Sequence, residues 1–161
     1  MLPLELPFKP KKGAYKKWAG NRTPLTIALT RGVCRYFADM GYGTLTEFRL
    51  PNGRRVDIMA LDSSGGFSII EVKSTVADFR NDVKWTEYLP YSDRFYFAVS
   101  EHFPVSILPE DYGVIIADSF GASIERTAPE NFLNATRRRQ QLRKFALTAS
   151  ARLQRLSDPR P

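Results

Sequence analysis

The feature that most constrains this chain is a pair of short apolar runs joined by a glycine-containing turn. Arg54 to Leu61 reads as one strand, Asp62 to Gly66 as the turn, and Phe67 to Lys73 as the next strand, which closes on Glu71-Val72-Lys73. With the turn centred on Ser64, Leu61 faces Phe67 and Asp57 lies across from Glu71. Opposed residues on antiparallel neighbours hold their Cβ atoms about 4.5–5.5 Å apart. Alternation along a strand puts Lys73 on the same face as Glu71. Pro51-Asn52-Gly53 reads as a three-residue hairpin loop, with Pro opening a type I turn and Gly in the left-handed position. Leu50 then pairs with Arg54, and Glu47 stands opposite Asp57. Glu47, Asp57 and Glu71 would form one row across three strands. A one-residue slip in either turn would send a carboxylate to the opposite face.

Carboxylates and a lysine at the polar end of an apolar sheet are costly to bury unless a cation or a reaction offsets them. Adjacent like charges also push carboxylate pKa values upward. Mg²⁺ or Mn²⁺ takes oxygen ligands, would neutralise the row, and would leave positions for water and phosphate. Asp57, Glu71 and Lys73 are therefore the candidate catalytic residues of a metal-dependent phosphodiester-cleaving site, with Glu47 as a further ligand. The competing reading of the same spacing is an ion pair between Lys73 and Asp57 or Glu71 at a sheet edge.

Other chemistries find little support. His102 is the single histidine, which excludes a histidine-based nuclease or a multi-histidine zinc site. Ser63-Ser64-Gly65-Gly66 lacks the Lys-Ser/Thr continuation of a phosphate-binding loop. Cys34 is the single cysteine, so no internal disulfide forms, which suits a reducing cytoplasm. It is read as a small buried apolar residue. No run approaches eighteen apolar residues, and the proline-containing start with Glu5 does not read as a signal peptide. The expectation is a cytoplasmic protein with no membrane partner.

The net charge of +7 is unevenly spread. Residues 1–22 carry six Lys/Arg against Glu5, and residues 126–161 carry nine against Glu130 and Asp158. The centre has fourteen acidic residues against nine basic. An acidic centre suits a metal, and basic flanks suit phosphates, although basic termini also serve solubility alone.

The chain of 161 residues divides into a basic arm, 1–22, and one domain, 23–161, that ends in a basic amphipathic helix. Tyr15 and Trp18 interleave the lysines of the arm, to stack on bases or to pin it to the domain. Thr23, Pro24 and Gly41 frame a helix over 24–40 whose Gly32 suggests close packing. Strands are expected at 44–50, 54–61, 67–73, 94–100 and 113–118, with a short one at 123–126. Thr75-x-x-Asp78 opens a helix expected to reach Tyr88 and to end at Pro90, and a last helix runs from about Pro129. Arg137, Arg138 and Arg139, followed by Arg143 and Lys144, offer DNA-backbone contact or simply a solvated face. Trp85 reads as packing on the sheet, with base stacking as the alternative.

This chain resembles the PD-(D/E)xK nuclease superfamily. Asp57 matches the motif aspartate, with Val56 in place of the named proline, and Glu71-Val72-Lys73 matches the (D/E)xK part. It is similar, more specifically, to MmcB-like DNA repair proteins. That similarity rests on Arg31-Gly32-Val33-Cys34-Arg35, on Thr46-Glu47-Phe48 through Asn52 to Asp57, and on Glu71 to Ser74 through Asp78 to Trp85. Tyr88, Asp93 to Val99, and Leu108 to Gly113 continue it. The resemblance implies an α/β, restriction-endonuclease-like αβββαβ core: a mixed central sheet flanked by helices. It implies a DNA-repair nuclease, with Asp57 and Glu71 as metal ligands, the Val72 carbonyl assisting and Lys73 catalytic. Lys84 and Tyr88, four residues apart on one expected helix face, resemble the Q-x-x-x-Y element of RecB-type relatives, with lysine in the glutamine position. Nucleases of branched DNA often pair two active sites, so a homodimer is also in view. Two rival functions are a DNA-binding repair accessory that does not cut, and RNA binding through the basic flanks.

Overall fold

The computed structural model describes residues 22–159. Apart from Arg22, the expected basic arm lies outside the described residues. Helix α1 (Pro24–Asp39) precedes three strands, β1 (Gly43–Arg49), β2 (Arg55–Leu61) and β3 (Phe67–Val72). A short helix α2 (Val76–Asn81) and a 3₁₀ segment (Lys84–Tyr91) lead to β4 (Arg94–Val99). Strands β5 (Gly113–Ala117) and β6 (Ala122–Arg126) and a long helix α3 (Ala135–Ser157) complete the domain. The six strands lie side by side in chain order. β1, β2 and β3 pair antiparallel, β3, β4 and β5 parallel, and β5 and β6 antiparallel. This is the expected α/β architecture, a mixed sheet with helices flanking it.

Turn chemistry sets the register. Gly53 and Gly65 adopt positive φ, 84° and 88°, which a glycine takes without steric cost. The Leu50 N–H donates to the Arg54 carbonyl at 2.7 Å, closing the first hairpin. The Asp62 carboxylate gathers the Ser64 and Gly66 N–H groups, closing the second. Leu61 then faces Phe67, as turn geometry requires.

One sheet face is covered by α1, whose Leu29, Val33 and Phe37 pack on Ile58, Ala60, Ile70, Val72, Ala98 and Ile115. A Cβ on Gly32 would lie 2.0 Å from the Asp118 carbonyl oxygen and 2.4 Å from that of Gly121. Only glycine lets α1 approach the β5–β6 turn so closely. Gly32→Ala is expected to cost about 3 kcal/mol in urea unfolding, because backbone blocks the methyl and overwhelms the better helix propensity of alanine. A loss below about 1 kcal/mol would show that α1 can shift away.

The other face carries Met59, Phe67, Ile69, Phe95, Phe97 and Val99, covered by Tyr88 and by Phe145 of α3. Trp85 stacks into this layer, with ring centroids 5.2 Å from Phe97 and 4.9 Å from Tyr112. It packs on the sheet rather than standing free.

Two expected helices differ from the structure. The helix expected to reach Tyr88 stops at Asn81, and Pro90 lies inside the 3₁₀ segment instead of ending an α-helix. Asp82 adopts an extended conformation and takes the Lys84 N–H on its own carboxylate, a local bond that competes with helix continuation. The last helix begins at Ala135, not near Pro129, with Asn134 capping the Thr136 N–H at 2.9 Å. Residues 129–134 are held beside Asp93 instead: its carbonyl takes the Asn131 N–H and its carboxylate the Leu133 N–H.

Candidate active site

β2 and β3 pair in register from Leu61↔Phe67 to Ile58↔Ile70, which sets Asp57 opposite Glu71. At that point side chains take over from the ladder. The Asp57 N–H donates to Glu71 Oε1 at 3.1 Å, and the Val72 N–H donates to Asp57 Oδ2 at 2.8 Å. Each carboxylate thereby anchors one oxygen on the facing strand. Glu71 and Lys73 follow Phe67 and Ile69 at two-residue spacing, so they extend the face that α3 covers, and both are buried.

Burial pushes the Asp57 carboxyl from 3.8 up to about 6, against the Val72 N–H and the Lys73 charge, which favour ionisation. Glu71 is raised well above the ordinary range by burial and by the neighbouring Asp57 charge. The pair is a site short of positive charge. Lys73 behaves in the opposite sense. Burial pulls its pKa down, but a hydrogen bond to Asp82 and the charges of Glu71 and Asp82 leave it raised. Its Nζ contacts the Asp82 carboxylate and lies 3.8 Å from Glu71 Oε2. Lys73 is thus held as a cation and cannot readily serve as a base.

Asp82 was not singled out by sequence reasoning, because nothing in the spacing of two residues nine apart reports a break in the helix between them. The available signal was its Asx-turn potential at Asp82-Val83-Lys84. Tyr88 is buried, and its phenol is pushed upward by burial and by the charges of Glu71, Asp82 and Asp57. Lys84 is exposed, and a 3₁₀ helix of about three residues per turn does not put residues four apart on one face.

Glu47 stands in the expected register, between Thr46↔Ile58 and Phe48↔Val56, but with a left-handed φ of 50°. The kink turns Phe48 into the layer beside Leu45, where plain alternation would have put Glu47. The Glu47 carboxylate pairs with Arg22 at 3.1 Å and Arg55 at 2.6 Å. It is close enough to raise Asp57 further, yet its oxygens are engaged by arginines.

The match to known proteins settles the family. A family model for DNA repair proteins of the MmcB-like type covers residues 16–160. The chain belongs to the MmcB-like DNA repair family. A solved protein of unknown function from Silicibacter pomeroyi is similar at 42% identity and TM-score 0.82, over 85% of this chain and 94% of its own. No curated protein matches the chain.

Among the described residues, no group of three or more His, Cys, Asp or Glu side chains is placed to hold a metal ion. The groups that would hold a cation are instead two carboxylates, half-buried Asp57 and buried Glu71, with the Val72 carbonyl expected as a further oxygen. That composition fits Mg²⁺, which is bound through one or two carboxylates and keeps several waters. It does not fit a closed zinc or calcium site.

The expected DNA contacts on α3 are divided by the structure. Arg138 grips the Asp93 carboxylate through both guanidinium nitrogens, at 2.9 and 2.6 Å, and donates to the Gly65 carbonyl. Arg137 donates to the Pro90 carbonyl at 2.8 Å and lies over the Tyr91 ring. Arg139 is exposed. Arg137 and Arg138 are thus engaged by the domain itself, whereas Arg139 has no side-chain partner among the described residues. No helix among the described residues is long and apolar enough to cross a membrane.

Proposed function

We propose that this protein is a DNA-repair nuclease that hydrolyses DNA phosphodiesters with a divalent metal, Mg²⁺ or Mn²⁺. The observation carrying this reading is the convergence of Asp57, Glu71 and buried Lys73 at one polar end of the sheet, in a chain of a DNA repair family. Hydrolysis adds water across a P–O bond, so the attacking oxygen loses a proton and the leaving alkoxide gains one. The cation, when bound, activates the water and offsets phosphate charge. Asp57 and Glu71 would hold it, with the Val72 carbonyl. Lys73, kept protonated by Asp82, offsets charge developing on the phosphate. Asp82 positions Lys73.

The experiment is a cleavage panel of single-stranded, duplex, flap and four-way DNA with Mg²⁺ or Mn²⁺. Wild type should cut at least one substrate only with metal, and Asp57→Ala should lower that rate by roughly 10³-fold or more. One observation favours a second reading, a repair accessory that binds DNA without cutting it: Asp82 already occupies Lys73, and Glu47 is held by two arginines. Absence of cleavage on every substrate, together with intact repair by Lys73→Ala, would decide for the accessory.

A further inference from the structure

Between α3 and the β1–β2 hairpin runs an open groove of about 820 Å³. Its lining includes Arg49 from the end of β1 and Arg143, Lys144, Arg152 and Arg155 from one side of α3; its acidic member is Glu47. Arg152 is built into the wall: its guanidinium donates to the Thr46 carbonyl at 2.7 Å and the Glu47 carbonyl at 3.2 Å. It thereby holds the kinked strand against the helix. Burial lowers the Arg152 pKa, Glu47 opposes this, and Arg155 adds a smaller lowering.

The other four cations differ from the arginines near the start of α3. Arg137 and Arg138 are engaged by Pro90 and Asp93, whereas the side chains of Arg49, Arg143, Lys144 and Arg155 have no ion pair or hydrogen bond among the described residues. Unpaired cations lining one groove, three from α3 and Arg49 from β1, raise the local anion concentration and remain available to phosphates. From Arg143 to Arg155 the helix rises about 18 Å, long enough to meet several successive phosphates of one strand. Glu47, which lines the groove, stands across from Asp57 on the neighbouring strand. α3 and the Asp57–Glu71–Lys73 cluster lie on the same sheet face.

We infer that this groove is the DNA track: one strand's phosphate backbone lies along α3 on Arg49, Arg143, Lys144 and Arg155 and is led toward Asp57. The inference rests on the DNA substrate of the proposed function, but not on cleavage. It assigns the main backbone contact to the middle and end of α3, away from Arg137 and Arg138. The contact is with phosphates, so it is independent of base sequence and sensitive to salt.

The test uses the full chain, with its N-terminal residues, in EDTA so that no cutting intervenes. Binding of a fluorescent 20-base-pair duplex is measured from 50 to 300 mM salt. The variant combining Arg49→Gln, Arg143→Gln, Lys144→Gln and Arg155→Gln should bind at least 50-fold more weakly at 100 mM salt. Its slope of log K against log salt should fall by about 3–4, since each phosphate contact contributes about 0.9. Single Arg49→Gln and Arg155→Gln variants, which leave thermal unfolding unchanged, should each lower the slope by about 1 and keep the test valid if the combined variant folds poorly. Arg139→Gln serves as the comparison and should change the slope less than either. An unchanged affinity and slope in the groove variants overturns the inference. So does a groove that binds poly-glutamate with the same salt dependence while DNA affinity is unaffected, which would mark a docking site for an acidic protein segment. A wild type that cuts no DNA but loses binding in the groove variants would overturn the nuclease reading alone.

Discussion

Asp57→Asn is expected to abolish metal-dependent cleavage and, at the same time, to make the metal-free protein more stable above pH 6. The asparagine keeps a carbonyl oxygen for the Val72 N–H, the bond that Asp57 Oδ2 accepts at 2.8 Å. It removes a buried charge that stands against Glu71. Burial raises the Asp57 carboxyl from 3.8 to about 6. The folded state therefore binds this proton more tightly than the unfolded chain. Stability from the group is fully present below about pH 4 and is lost as pH rises through about 6, on the order of 1–3 kcal/mol in all. Glu71, also raised, acts in the same direction. Thermal unfolding at pH 5 and pH 8 checks this: wild type should lose more stability between the two than Asp57→Asn. Mg²⁺ at pH 8 should raise the melting temperature of wild type and leave that of the variant in place, because a ligand stabilises only the state that binds it. Equal pH dependence in both proteins would show that Asp57 is not the strained carboxylate.

Asp93→Ala should be the most damaging single change outside the active site, costing about 3–5 kcal/mol in chemical unfolding. The carboxylate is 2% exposed and collects four bonds: the Phe67 N–H at 2.7 Å, the Leu133 N–H at 2.9 Å, and both ends of the Arg138 guanidinium. It joins the start of β3, the chain leading into α3, and α3 itself. Alanine would leave a half-buried arginine with the Gly65 carbonyl but no counter-charge, and two N–H groups without their acceptor, each loss costing more than the original bond contributed. Burial raises the Asp93 carboxyl pKa, but the Arg138 hydrogen bond and the two N–H donors overcome this and leave it lowered. Its contribution is therefore present above about pH 4 and is lost in acid, as the pH falls through the depressed folded value. Arg138→Ala should reproduce most of the loss while leaving the salt slope of DNA binding close to wild type. A stability change below about 1 kcal/mol for Asp93→Ala would mean that the bonds are remade elsewhere.

The row of Asp57 and Glu71 was legible because two short loops, each with a glycine in the left-handed region, fix strand register within a few residues, and alternation then assigns the face. Gly32 was legible for a similar reason: a glycine inside an apolar helical stripe marks close approach. The rest depended on pairs far apart in the chain. Asp82 holds Lys73 only because its own carboxylate breaks the helix, and local pattern favoured an unbroken one. The kink at Glu47 is held by Arg152, 105 residues away, and Arg138 reaches Asp93 across 45. Residue spacing carries no trace of such contacts, since they exist only once helices have packed on the sheet. The carboxylate hairpin, the order of elements and the family likeness could be read from the sequence by itself, because each is set by neighbours along the chain. Which cations hold the fold and which remain available for phosphate was decided only by the tertiary structure, because packing alone determines which guanidinium groups meet a buried acceptor.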